Sequence, residues 1–268
     1  MDLAVVHAAL ITEIKDGLSY VLEPARMAEL GDIFDTLSFQ FEALGLCHLF
    51  EFADQDTFRE NLMRSGHGRR YFLRRSHSEK NDADRHLALS GNPGFLDAVV
   101  AGALPLACDI ARLSTPIWNG NWEYEDDFCF RLLLHQIALD PGAFPTPDAH
   151  ALLARFEKSL EGGKSVHFDV AKALVAKDPA AFAGALGALV AAEAKKIAKD
   201  RVSAAVQEGD LVYWPRSRAS IEGLALLNLT RLLNLPVEGE FPLCPPLARL
   251  PWKDQPADDL FEEIERLG

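Results

Sequence analysis

The chain has 268 residues, 49% of them hydrophobic, with 27 Lys+Arg against 40 Asp+Glu and a formal net charge of −13. A chain this long buries roughly 70–75% of its unfolded surface without disulfide or metal staples, so a disordered tail is not expected. The acidic surplus argues against whole-surface binding to nucleic acid or anionic lipid and makes basic partners the better expectation.

The N-terminal Met1-Asp2-Leu3 places an acid where an export signal needs Lys or Arg, and Glu13 and Lys15 interrupt the apolar run that follows. Leu3, Val6, Leu10, Ile14 and Leu18 recur at helical spacing and predict a first helix. Met27, Leu30, Phe34, Leu37, Phe41 and Leu44, in steps of three and four, predict a second with a continuous apolar stripe. The polar stretch from Ser76 to Gly91 is a possible weak boundary within what otherwise reads as a single domain over 1–268.

Later helices announce themselves by a polar cap followed by Pro: Asn92-Pro93, Thr146-Pro147 and Asp178-Pro179. Pro105 is expected to kink or split the segment from Phe95 to Leu113. Asp140-Pro141-Gly142 must end a helix beginning near Trp118, and Gly162-Gly163 can close the one carrying Leu152, Leu153, Phe156 and Leu160. The Ala-rich segment from Pro179 to Lys199 reads as a central helix that neighbours approach closely. Its uncharged part, Pro179 to Ala192, is shorter than the roughly 18 residues of a membrane span.

Leu211-Val212-Tyr213-Trp214 reads as a short extended piece ended by Pro215, followed by a helix through Ile221, Leu224, Leu227 and Leu232. Prolines at 236, 242, 245, 246, 251 and 256 predict an extended strap docked by Phe241, Leu243, Leu247 and Trp252, and a short acidic helix over 258–267. The fold class is therefore all-α, an irregular multi-helix bundle with a Pro-rich C-terminal strap. Cys47, Cys108, Cys129 and Cys244 are far apart and sit mostly in apolar segments, which fits free thiols in a reducing cytoplasm.

No catalytic motif stands out. Gly162-Gly163-Lys164-Ser165 resembles the end of a P-loop, but the spacing demands Gly where Lys158 stands, and a plain interhelical turn is the expected reading. The eight histidines do not fall at metal-ligand spacings, and neither a metal nor a cofactor is expected. Arg69, Arg70, Arg74 and Arg75, beside Arg64 and His67, make a basic patch that suits either a phosphorylated small molecule or a solvated helix face. Glu123, Glu125, Asp126 and Asp127 crowd a predicted helix start, where the macrodipole favours negative charge, or else form a surface for a basic partner with Trp122 and Tyr124 as anchors. Arg218 and Glu222, four residues apart, are expected to form a structural ion pair.

The segment Asp210 to Ala225, Asp-Leu-Val-Tyr-Trp-Pro-Arg-Ser-Arg-Ala-Ser-Ile-Glu-Gly-Leu-Ala, resembles the C-terminal signature of the immunity protein 49 family of bacterial polymorphic-toxin and type VI secretion systems. The aromatic stretch Trp118 to Tyr124 is compatible with it, and the resemblance covers roughly the C-terminal two thirds. It implies a mostly helical, non-enzymatic protein that binds and neutralises a cognate toxin directly, and it carries over no catalytic residues. With no export signal, a toxin acting in the cytosol, such as a basic nuclease, is the expected target. The alternative is a helical enzyme acting on a phosphorylated small molecule at the arginine patch.

Overall fold

The computed structural model describes residues 2–22, 27–203, 206, 209–250, 259 and 261. Among them are eleven α-helices and no strand, so the all-α expectation holds. The helices are α1 (Leu3–Leu22), α2 (Met27–Glu51), α3 (Gln55–Ser78), α4 (Gly94–Val100), α5 (Leu104–Leu113), α6 (Glu125–Leu139), α7 (Pro147–Ser159), α8 (Val166–Ala176), α9 (Pro179–Asp200), α10 (Tyr213–Arg216) and α11 (Ile221–Leu232). No described helix is long and apolar enough to cross a membrane.

The stripe of α2 buries Leu30, Phe34, Leu37, Phe41 and Leu44, while the side chain of Met27 lies outside the described residues. This helix packs against both α1 and α3. In turn α3 packs on α4 and α5, α6 on α7, α8 on α9, and α11 on α4 and α6. One continuous cluster of buried side chains runs through all of them, with Phe34, Phe58, Phe72, Phe128, Phe156 and Phe182 among its largest members. Truncating any of these to Ala costs about 3–5 kcal/mol by lost transfer energy and the cavity left behind. Helices α3 and α4 approach each other closely. A Cβ at Gly66 would stand 2.9 Å from Leu106 and 3.2 Å from the Gly94 carbonyl oxygen, so these helices meet at a place only glycine allows.

The capping chemistry follows the sequence. Thr146 accepts from the Ala149 N–H at 3.1 Å, and Asp178 accepts from Ala180 and Ala181, each at 3.0 Å. Asn92 accepts from Gly94 N–H at 2.8 Å, and Pro105 stands in the first turn of α5, splitting the 95–113 segment as expected. Gly162, at φ +84°, lies in the turn to α8, whose start Ser165 caps; the Gly-Gly-Lys-Ser stretch is an interhelical turn.

Three expectations need correction. The helix ending at Asp140 starts at Glu125 rather than near Trp118, because residues 115–124 satisfy one another in a loop of their own. Residues 213–216 form a helical turn, not an extended piece: Asp210 accepts from the N–H groups of Val212 and Tyr213 at 3.1 and 3.0 Å and starts the turn. Helix α9 is not central. It buries only the stripe Phe182, Leu186, Leu189 and Val190, while Ala181, Gly184 and Ala191 face solvent.

The strap is not extended throughout, since Pro246–Arg249 form a 3-10 turn with Pro in its first position, and it is anchored through its backbone as much as its side chains. Carbonyls of Leu247 and Arg249 accept from Gln55 and Arg231 at 2.9 and 2.8 Å, and Arg59 donates to the Leu250 carbonyl. Among its described residues Cys244 and Ala248 are buried, with Phe241 and Leu247 half-buried against the core. Trp252 and the helix expected over 258–267 lie outside the described residues except for Asp259 and Phe261. Phe261 is buried against Phe34 and Tyr71.

Candidate functional site

Two regions gather the chemistry-bearing side chains, and the first is the loop joining α5 to α6. Ser114 ends α5 by donating to the Ile110 carbonyl at 2.8 Å. Asn119 then organises the turn: its carbonyl accepts from Trp122 N–H at 2.9 Å and its side chain from Asn121 N–H at 3.0 Å. Trp118 lays its ring over Gly120 and donates Nε1–H to the Glu123 carbonyl at 3.0 Å. The Arg155 guanidinium stacks 5.7 Å from that ring and donates to Glu125 at 2.7 Å. Glu123 ties the loop to the 79–93 segment by accepting from the N–H groups of Leu89 and Ser90 at 3.2 and 2.9 Å.

On this pinned backbone Ile117 is 74% exposed, Trp118 36% and Tyr124 79%. Of the sequence candidates, Tyr124 and Asp127 face solvent, Trp122 packs partly against the core, and Glu123 and Glu125 are occupied by internal partners. The acids thus divide between holding the loop and facing outward.

The arginine patch does not converge. Arg64 pairs with Glu60 and Arg75 with Glu79, each one turn along α3 at 2.5 Å. Arg69 is buried, donates to the His86 and Ala88 carbonyls, and is lowered to about 10 by that burial. Arg70 reaches Asp109 at 3.5 Å and also pairs with Asp259. The Asp259 carboxyl, though burial pushes it up, is held below the carboxylate range by His67 and Arg70. Arg74 points to solvent. Apart from Arg74, these arginines reach partners in different directions rather than clamping one anion.

The second region is a cleft of about 410 Å³ between α2, the 90–93 loop, Arg131 of α6, α9, α10 and the start of α11. Glu42, 2% exposed, accepts from Arg216 Nε at 2.5 Å, and the Arg216 guanidinium lies 4.4 Å over the Phe39 ring. Glu222 is paired with Arg131 at 3.4 Å and His167 at 3.1 Å. Burial pushes the Glu222 carboxyl up, but Arg131 and His167 outweigh it and hold it below its usual range. The Glu193 carboxyl is pushed up by burial, against the opposing hydrogen bond from Ser220. Beneath the cleft, fully buried Asp97 is raised well above the usual range by burial and by nearby Glu42, and it accepts from Ser65 Oγ at 2.5 Å. Two glutamates driven in opposite directions can hold different protonation states at one pH.

Glu222 is therefore not the partner of Arg218, contrary to the spacing. The chain breaks between α10 and α11, Ser220 caps α11, and Arg218 lies exposed outside both helices, so four residues do not equal one turn here. Glu42 in Phe-Gln-Phe-Glu-Ala-Leu and Arg131 in Phe-Cys-Phe-Arg-Leu-Leu were the overlooked signals: single charges set in apolar runs. Among the described residues no group of three or more His, Cys, Asp or Glu is placed to hold a metal. No family model, curated protein or solved structure matches the chain.

Proposed function

We propose that this protein is an immunity-type inhibitor that binds a basic toxin through the loop over 115–127. The observation that carries the reading is the trio Ile117, Trp118 and Tyr124, held exposed on a backbone fixed by Asn119, Glu123 and Arg155. Large aromatic side chains left in water on an ordered loop suit an interface, because little conformational entropy remains to be lost when they are covered. Asp126 and Asp127 border them, and a net charge of −13 draws a basic partner from a distance. The resemblance of Asp210 to Ala225 to an immunity family supports the same class of partner. Those signature residues build the wall of the cleft through Tyr213, Arg216 and Glu222 and so serve the scaffold that presents the loop.

The test is co-expression with the toxin-like product of the adjacent gene, followed by affinity capture and titration calorimetry at low and high salt. A one-to-one complex that weakens as salt rises, with relief of toxicity in the cell, is the expected result. No complex with that product, at either ionic strength, overturns the proposal.

A further inference from the structure

We infer that the cleft between α2, α9 and α11 binds a small zwitterion, a molecule carrying one carboxylate and one ammonium group. Its volume, about 410 Å³, lies in the range of small-molecule sites. Its walls combine apolar surface from Phe39, Leu96, Ile197 and Ile221 with charged groups of both signs.

Some of those charges are committed. Glu42 with Arg216, and Glu222 with Arg131 and His167, form a frame that fixes the walls. Others are not. Among the described residues Lys196, Asp200 and Glu193 have no ion-pair partner, and Glu193 is met by the Ser220 hydroxyl. Lys196 and Asp200 stand one turn apart on α9, in the Lys-before-Asp order that pairs poorly on a helix. Arg216 uses its Nε toward Glu42, and its stack on Phe39 fixes the guanidinium plane, so its remaining N–H groups are available at the cleft.

This pattern selects a ligand class. A lone anion meets Lys196 and Arg216 but is repelled by Asp200 and Glu193; a lone cation meets the reverse. A molecule with both charges, and a short aliphatic part between or beside them, satisfies each free group and covers the apolar wall. A singly charged ligand leaves half-buried Glu193 and Asp200, or the Arg216 N–H groups, unused, while exposed Lys196 keeps its water. The inference concerns the isolated protein and does not rest on the toxin reading.

The probe is norleucine, compared with hexanoate, which lacks the amine, and pentylamine, which lacks the carboxylate, by titration calorimetry and thermal shift on the full chain. Norleucine is expected to bind at least about tenfold tighter than either singly charged analogue, a difference of about 1.4 kcal/mol. Lys196→Gln and Asp200→Asn, changes at the cleft rim, are expected to weaken norleucine about fivefold or more without moving the unliganded melting temperature. Equal binding of norleucine and one analogue overturns the proposal. So does the absence of heat with norleucine at millimolar concentration, and so does norleucine binding that neither variant changes.

Discussion

The loop over 115–127 and the cleft behind it use polar groups in opposite ways. In the loop the polar groups, Asn119, Glu123 and the Trp118 indole N–H, are turned onto the chain's own backbone, and large apolar side chains are left in water. In the cleft apolar side chains form the wall, and charges are withdrawn from water onto one another, as Glu42 is on Arg216. The two meet at Ser90, which lines the cleft and donates its N–H to Glu123. The difference teaches where each kind of damage will be felt. Removing one of the cleft's paired charges strikes the folded state, whereas removing an exposed side chain at the loop's tip strikes only what docks there.

The largest effect should come from Arg216→Met. It leaves Glu42 buried without its cation, and breaking such a pair costs about 3–5 kcal/mol, near the lower end here because Arg216 is itself partly solvated. Urea denaturation should register the loss, and adding Glu42→Gln should recover most of it. A single variant as stable as the parent would erase the contrast between cleft and loop.

Next comes the dependence on pH. His135 of α6 is buried against Phe95, with ring centroids 4.1 Å apart, and is lowered from 6.5 to about 3 by burial and by Arg131. Its folded value lies below its unfolded one, so its contribution is fully present above pH 6.5 and is lost as the pH falls. One proton corresponds to about 1.4 kcal/mol per pH unit. Glu222, also lowered, adds a loss of the same sign at more acid pH, while the raised Asp97 and Glu193 oppose it. His135→Leu should therefore flatten the stability profile between pH 6.5 and 5 by about one proton's slope. Chemical denaturation at a series of pH values checks this, and Tyr124→Ala in the loop should leave the slope alone.

What the sequence declared and what it hid follow the same division. Helix positions marked by a local device were legible, because Thr146-Pro147, Asp178-Pro179 and Pro105 act within a few residues of where they stand. The stripe of α2 was legible for the same reason. The cleft was not, since Glu42, Arg131, Glu193 and Glu222 come from four helices and nothing short of the fold assembles them. Arg218 and Glu222 misled because i, i+4 spacing has meaning only inside one helix, and a cap at Ser220 intervenes. Tyr124 and Asp127 were placed in the open, as an interface needs, while Glu123 and Glu125 turned inward for reasons the sequence does not carry.

A smaller change separates the loop's supports from its tip. Glu123→Ala removes a charged acceptor from the N–H groups of Leu89 and Ser90, and two half-buried donors then lose their partner. The expected cost is about 2 kcal/mol in unfolding free energy. Hydrogen exchange should quicken at those two amides while the cores of α2 and α3 keep their protection. Unchanged exchange there would mean that Glu123 does not pin the loop.

The smallest effect on stability, and the sharpest on function, belongs to Tyr124→Ala. With 79% of the residue in solvent, truncation takes almost nothing from the fold, within about 0.5 kcal/mol. If the loop is the docking surface, the same change removes a rigid aromatic anchor from the interface and weakens the toxin complex about tenfold or more. Calorimetry on that complex, beside the melting temperature of the free variant, tests both halves at once. An affinity that survives Tyr124→Ala but falls on neutralising Asp126 and Asp127 would keep the electrostatic half of the proposal and discard the aromatic one. Stability lost together with affinity would make Tyr124 a structural residue and move the interface elsewhere.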